Sequence, residues 1–120
     1  MVDFAGKFNT ARTRRFDADT SQLRFESLAD LYNNNGAEMI YILTGVYINT
    51  KSKYGEAPVF ATPDFMVNIP SYLLATSKDI IADDAACAAI NGGQVGFKIY
   101  TYRHERYNRV CFGVKFVNLI

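Results

Sequence analysis

The segment that most constrains the fold is Val95–Val117, VGFKIYTYRHERYNRVCFGVKFV, in which two alternating runs flank a basic, aromatic turn. Successive side chains of a strand point to opposite faces. Phe97, Ile99 and Thr101 therefore point to one side, which suits a core. The other side carries tyrosines interleaved with positive charge. The segment predicts a β-hairpin with one buried face and one face of rings and cations.

A second strand is predicted over Glu38–Thr50, EMIYILTGVYINT. The even-numbered residues from Ile40 to Ile48 form one face of a regular strand, and the odd-numbered residues form the other. Both faces are largely apolar, which indicates a strand covered on both sides. Gly45 in its middle predicts a bend or bulge, the feature that lets a sheet curl into a barrel.

The remaining elements follow from helical spacing, turn residues and short β-rich runs. In chain order they are a helix over Leu23–Asn35 capped by Ser27, strands over Val59–Thr62 and Phe65–Ile69, a helix over residues 71–81 and a short helix after Asp83 or Asp84. After the first helix, the order is β-β-β-α-β-β, which is that of the OB-fold. The predicted fold is therefore mainly β with α, a five-stranded OB-like barrel preceded by an N-terminal arm and a short helix. A ferredoxin-like fold is disfavoured because no helix fits after the first strand.

A chain of 120 residues is expected to form one domain. We assign residues 1–22 to an N-terminal arm and residues 23–120 to the OB-like domain. The arm spaces Phe4, Phe8 and Phe16 among basic residues. These rings predict self-association through the arm, and an arm that folds on its own domain or stays flexible is the alternative.

The net charge of +1 excludes a histone-like polycation, but the charge is unevenly distributed. From Gln94 to Lys115 there are five basic residues against one acid, which favours one basic face. No signal peptide or membrane-spanning run is seen, so a cytoplasmic protein with reduced Cys87 and Cys111 is expected.

In an OB-type barrel, the loops at residues 51–55 and 103–109 would flank the ligand. Both are basic and both carry a tyrosine. Lysine and arginine neutralise phosphates, and each unpaired base stacks on a ring with about 1–3 kcal/mol. Basic hairpin turns are also common without any ligand. The predicted nucleic-acid-binding residues are Lys51, Lys53, Tyr54, Lys98, Tyr100, Tyr102, Arg103, Arg106, Tyr107 and Arg109.

No catalytic, metal-binding or cofactor motif is found in the sequence. His104 is the only histidine, and neither a nucleophile nor a metal motif accompanies it, so it is at most a ligand contact. Asp83 and Asp84 are adjacent on a predicted helix and point in different directions, which favours a helix cap over a metal pair. A non-enzymatic protein is therefore predicted.

Three runs carry a family resemblance: Val46–Pro58, Phe65–Leu74 and Gly96–Tyr102. They resemble OB-fold single-stranded DNA-binding proteins encoded on conjugative plasmids and phages of Gram-positive bacteria, over about residues 38–120. The resemblance implies single-stranded DNA as the partner, with RNA as an open alternative, in the replication or transfer of a mobile element. Two other functions stay open: a phage or plasmid assembly module that uses the arm, and an oligosaccharide-binding domain.

Overall fold

The computed structural model describes residues 16–51, 55–106 and 108–119. Within these ranges the chain forms seven β-strands, three α-helices and one short 3-10 helix. The strands are β1 (Phe25–Glu26), β2 (Tyr41–Ile42), β3 (Gly45–Asn49), β4 (Ala57–Ala61), β5 (Met66–Asn68), β6 (Val95–His104) and β7 (Arg109–Asn118). The helices are α1 (Leu28–Asn35), the 3-10 helix (Ser71–Leu73), α2 (Leu74–Ala82) and α3 (Asp84–Asn91). A mainly β fold with α, as predicted, is confirmed.

The strands are arranged in two sheets. The four-stranded sheet has the order β1-β5-β4-β3, and the three-stranded sheet has the order β2-β6-β7. β1 runs parallel to β5, and every other neighbouring pair is antiparallel. The predicted hairpin over residues 95–117 is confirmed as β6 and β7, which pair along their whole length.

Residues 41–49 pass from one sheet to the other. β2 pairs with β6, and β3, which starts three residues after β2 ends, pairs with β4. The backbone N–H of Leu43 donates to the carbonyl of Val95 at 2.9 Å, and the N–H of Thr44 donates to the carbonyl of Ala61 at 2.8 Å. These two successive hydrogen bonds go to different sheets, so the chain crosses between Leu43 and Thr44.

The crossing changes which residues of this segment face the core. Before it, Tyr41 and Leu43 are buried and Ile42 is 45% exposed, and after it Val46 is buried. The prediction of one regular even-numbered face is therefore wrong, because a strand that changes sheets also changes the residues it buries. The predicted bend lies immediately before Gly45, where the ring of the neighbouring Tyr47 occupies the space a Cβ would take, with Cε2 2.7 Å away.

The described residues do not close into the expected barrel. β5 pairs with β4 and with β1, and β7 pairs with β6 alone among the described strands. β5 therefore has a partner on each side and does not pair with β7, and a closed five-stranded barrel is not observed.

The helix ends follow local side-chain chemistry. The Ser27 hydroxyl accepts a hydrogen bond from the Asp30 N–H at 3.1 Å, as the capping pattern predicts. Asp83 caps α3 by accepting from the N–H of Ala86 at 3.1 Å. The predicted start of the first helix at Leu23 is wrong, since Phe25 and Glu26 form β1 alongside β5 and the helix begins at Leu28. In the part of the chain that the structure describes, no helix combines the length and apolar character needed to cross a membrane.

Aromatic rings fill the core between the sheets. Phe60 and Phe97 are fully buried with ring centroids 5.6 Å apart, and Tyr41 stacks on Phe97 at 5.4 Å. Ring pairs in such offset-stacked and edge-to-face geometries add about 0.5–1.5 kcal/mol each beyond their buried area. This cluster joins both sheets, because Phe60 belongs to β4 and Phe97 to β6.

Phe16 attaches the end of the predicted arm to the domain. Its ring is 6% exposed and meets Tyr47 edge-on, with centroids 5.6 Å apart. The backbone N–H of the next residue donates to the side chain of Asn91 at 2.9 Å. Phe16 is therefore buried within its own chain rather than exposed for self-association. Phe4 and Phe8 lie outside the described residues.

Candidate nucleic-acid interface

The exposed side of the β6–β7 hairpin gathers several of the predicted binding residues on one surface. Residues directly opposite one another in an antiparallel ladder place their side chains on the same face. The register pairs Lys98 with Lys115, Tyr100 with Gly113, Tyr102 with Cys111 and His104 with Arg109. We call these eight residues the tyrosine face. The opposite side of the hairpin packs into the core through Phe97, Ile99 and Val114.

The two tyrosines of β6 are half-exposed and adjacent. Tyr100 is 39% and Tyr102 37% exposed, and their ring centroids are 5.9 Å apart with a 40° tilt. The Tyr100 ring lies over Gly113, since a Cβ there would be 2.4 Å from its Cζ. Partial burial raises the pKa of Tyr102, and the neighbouring Cys111 and Tyr100 add to the shift. Tyr102 therefore keeps its proton at neutral pH.

A third tyrosine joins this pair from the 3-10 helix. The hydroxyl oxygens of Tyr72 and Tyr100 are 3.3 Å apart, and Tyr72 is 51% exposed. Partial burial, with the Tyr100 hydroxyl as the next cause, raises the pKa of Tyr72 to about 12. Tyr72 therefore adds a third ring beside the tyrosine face, and like Tyr102 it carries no negative charge at neutral pH that would repel a phosphate.

Positively charged side chains lie along the hairpin on both sides of the tyrosine rings. Lys98 and Lys115 are directly opposite one another at one end, and Arg109 lies at the other, across from His104. The Nζ of Lys98 is 3.5 Å from the carboxylate of Glu38, which is itself almost fully exposed. Lys115 is exposed, and no carboxylate of the described residues forms an ion pair with it. The arrangement provides positive charge on either side of an aromatic centre.

The other predicted site residues are not part of this face. Arg103 pairs with Val110 on the opposite side of the hairpin, and its Nη1 donates to Oδ1 of Asn108 at 2.8 Å. Asn108 has a φ of 46° and helps to close the hairpin turn, beside which Arg106 lies exposed. Lys51 follows β3 in the four-stranded sheet. The predicted residues Lys53, Tyr54 and Tyr107 lie outside the described residues.

Four residues of the surface were missed by sequence reasoning. Cys111, Gly113 and Lys115 belong to it because the register puts them opposite Tyr102, Tyr100 and Lys98. Tyr72 reads as part of a helix, and nothing local indicates that its hydroxyl reaches β6.

The described residues contain no group of three or more His, Cys, Asp and Glu side chains placed to hold a metal ion. Comparison of the chain with protein-family models, curated proteins and solved structures found no match.

Proposed function

We propose that this protein binds single-stranded DNA with little sequence preference, through the tyrosine face and Tyr72. The observation that carries the proposal is the convergence of three exposed tyrosines between cations on one surface. Single-stranded DNA offers both of the matching groups, an unpaired base with two aromatic faces and a phosphate with negative charge. The resemblance to plasmid and phage proteins supports a role in replication or transfer of a mobile element. The proposed function requires no catalytic step.

The scaffold we propose is an open OB-like barrel. Two features support it: the segment 41–49 contributes to both sheets, and the strands around it follow the order β5-β4-β3 on one side and β2-β6-β7 on the other. A bent first strand shared by two sheets, with α-helix between the third and fourth strands, is the arrangement expected of an OB-fold. In this interpretation, a complete barrel would close by pairing β5 with β7, and β1 occupies the edge of β5 where that pairing would form.

The rings would stack on bases while the cations contact phosphates. Each stacked base contributes about 1–3 kcal/mol, and stacking tolerates any base because each has a π-face. Lys98, Lys115 and Arg109 supply the charge. RNA offers the same backbone and bases, so these contacts serve it as well.

Titration of a labelled oligo-dT against salt tests the proposal. Each phosphate neutralised on a single strand contributes about −0.7 to the slope of log K against log salt. If Lys98, Lys115 and Arg109 each take one phosphate, the expected slope is about −2. Lys115→Ala should make it shallower by about 0.7. Binding that is absent at low salt, or that does not change with salt, would refute the proposal.

Substitution of the rings provides the second arm of the test. Tyr100→Ala combined with Tyr102→Ala should weaken binding while leaving the protein folded, because both side chains are half-exposed. Phe25→Ala is the matched control, since Phe25 is a 55% exposed ring in the other sheet. If the double variant unfolds, the rings serve the core instead.

An assembly module is the second candidate, favoured by an apolar patch on the three-stranded sheet. Met39, Ile40 and Ile42 are each 40% or more exposed, and Ile40 and Leu119 flank Gly96 on this surface. Light scattering of the chain without residues 1–15, and of Ile42→Ser, would show a fall in mass if the arm or the patch joins subunits. An oligosaccharide-binding domain is a weaker third candidate, and binding of a neutral glycan would not depend on salt.

A further inference from the structure

A groove of about 530 Å³ lies between the outer edge of β7 and the end of β5. Leu28, Pro70 and Phe112 give it apolar walls, and Asn68, Tyr102 and Arg109 give it polar ones. Tyr102 and Arg109 also belong to the tyrosine face, so the groove continues that surface around the edge of the hairpin.

We propose that this groove takes one unpaired nucleobase of a strand bound on the tyrosine face, and that Asn68 contacts the edge of that base. The proposal rests on the proposed function and adds to it a single position at which base identity matters. Apolar walls with a few polar groups suit a base, which is a flat ring system with donors and acceptors at its edge. The volume lies within the roughly 300–1,000 Å³ usual for small-ligand sites.

Asn68 is the residue able to read a base. It is exposed at the end of β5, and its side-chain amide makes no hydrogen bond with the other described residues. An asparagine amide has two donors and an acceptor, and can form two hydrogen bonds to one base edge. Ser27 also lines the groove, but its hydroxyl already accepts from the Asp30 N–H as the helix cap.

Charge in the groove also favours a nucleic acid strand. Arg109 is a cation in its lining, and none of the described residues that line it is acidic. A base held beside Tyr102 would keep its phosphate near Arg109. An extended peptide pairing with the edge of β7 is the competing occupant, and it would make no use of the Asn68 amide.

Fluorescence anisotropy with labelled oligo-dT, oligo-dA and oligo-dC of equal length, at one salt concentration, tests this inference. The wild-type protein should bind the best and worst of the three with affinities at least about fivefold apart, the lower end for a bidentate contact. Asn68→Ala should bring the affinities together without changing the salt slope for oligo-dT. Asn118→Ala, an exposed asparagine at the far end of β7, is the matched control and should keep the preference.

Equal wild-type affinities for the three oligonucleotides would overturn the inference and leave the proposed function standing. A preference that Asn68→Ala does not change would also overturn it, because a residue other than Asn68 would then read the base. Absence of all salt-dependent binding would overturn both this inference and the proposed function.

Discussion

Gly113 offers the sharpest test of the tyrosine face, because replacing it with alanine moves a ring without removing it. An alanine Cβ at this position would lie 2.4 Å from Cζ of Tyr100 and 2.8 Å from the Tyr72 hydroxyl. Ordinary van der Waals contact begins at 3.4 Å, so the Tyr100 ring must move back by about 1 Å. The nearest atoms are the ends of side chains rather than backbone, so the strand itself has no need to shift.

The expected effect is on binding and not on folding. Gly113→Ala should change the free energy of unfolding by less than about 1 kcal/mol, the span of strand propensities. Loss of one stacked base would weaken oligo-dT binding by about 1–3 kcal/mol, which is about 5- to 150-fold. Anisotropy titrations measure the affinity, and urea unfolding measures the stability.

A double-mutant cycle provides the control for this prediction. In a Tyr100→Ala background the closest contact of the new Cβ is absent and only the Tyr72 hydroxyl, at 2.8 Å, remains, so Gly113→Ala should weaken binding less than it does in the wild-type protein. Equal losses in both backgrounds, or full affinity in Gly113→Ala alone, would refute the stacking role of Tyr100. Gly96→Ala gives the opposite contrast, because its Cβ would meet the backbone oxygen of Tyr41 at 2.8 Å and should destabilise the fold by about 1–3 kcal/mol.

Three further predictions concern stability, each measured by urea unfolding. Phe16→Ala should lower the free energy of unfolding by about 3–5 kcal/mol, because the ring is buried against Tyr47; a change under about 1 kcal/mol would show that it is not part of the core. Ser77→Ala should raise that free energy by about 1 kcal/mol, since the buried hydroxyl has no hydrogen-bond partner among the described residues; a loss of stability would reveal one. Because the pKa of Tyr72 is raised to about 12, the folded protein keeps the hydroxyl proton that the unfolded chain loses above about pH 10. The free energy of unfolding therefore has its full contribution from Tyr72 below about pH 10 and loses it as the pH rises towards 12. Tyr72→Phe should therefore show a smaller decline of the free energy of unfolding over this range than wild type, and an equal decline would contradict the shift.

Local features of the fold could be predicted from the sequence. The hairpin follows from alternation over residues 95–117, and the helix starts at Ser27 and Asp83 follow from side chains that bond the backbone three residues ahead. These depend only on neighbours along the chain. The exchange of sheets between Leu43 and Thr44 could not be predicted, because it is fixed by strands that lie far away in the sequence.

The residues of the candidate site also fall into those that the sequence could place and those that it could not. Lys98, Tyr100 and Tyr102 could be placed on one face because a strand alternates. Lys115 and Gly113 needed the register of the hairpin, which the length of its turn decides. Tyr72 needed the tertiary packing of the 3-10 helix against β6, for which a single sequence carries no signal.

The crossing at residues 43 and 44 also has a consequence for how the protein folds. β6 and β7 are joined by a short turn, so their pairing closes a small loop and is expected early in folding. Tyr41 and Phe97 pair although they are far apart along the sequence, so β2 can join β6 only after a large loop of the chain has closed. We therefore expect the hairpin that carries the tyrosine face to form before the two sheets are joined, and the joining of the sheets to set the folding rate.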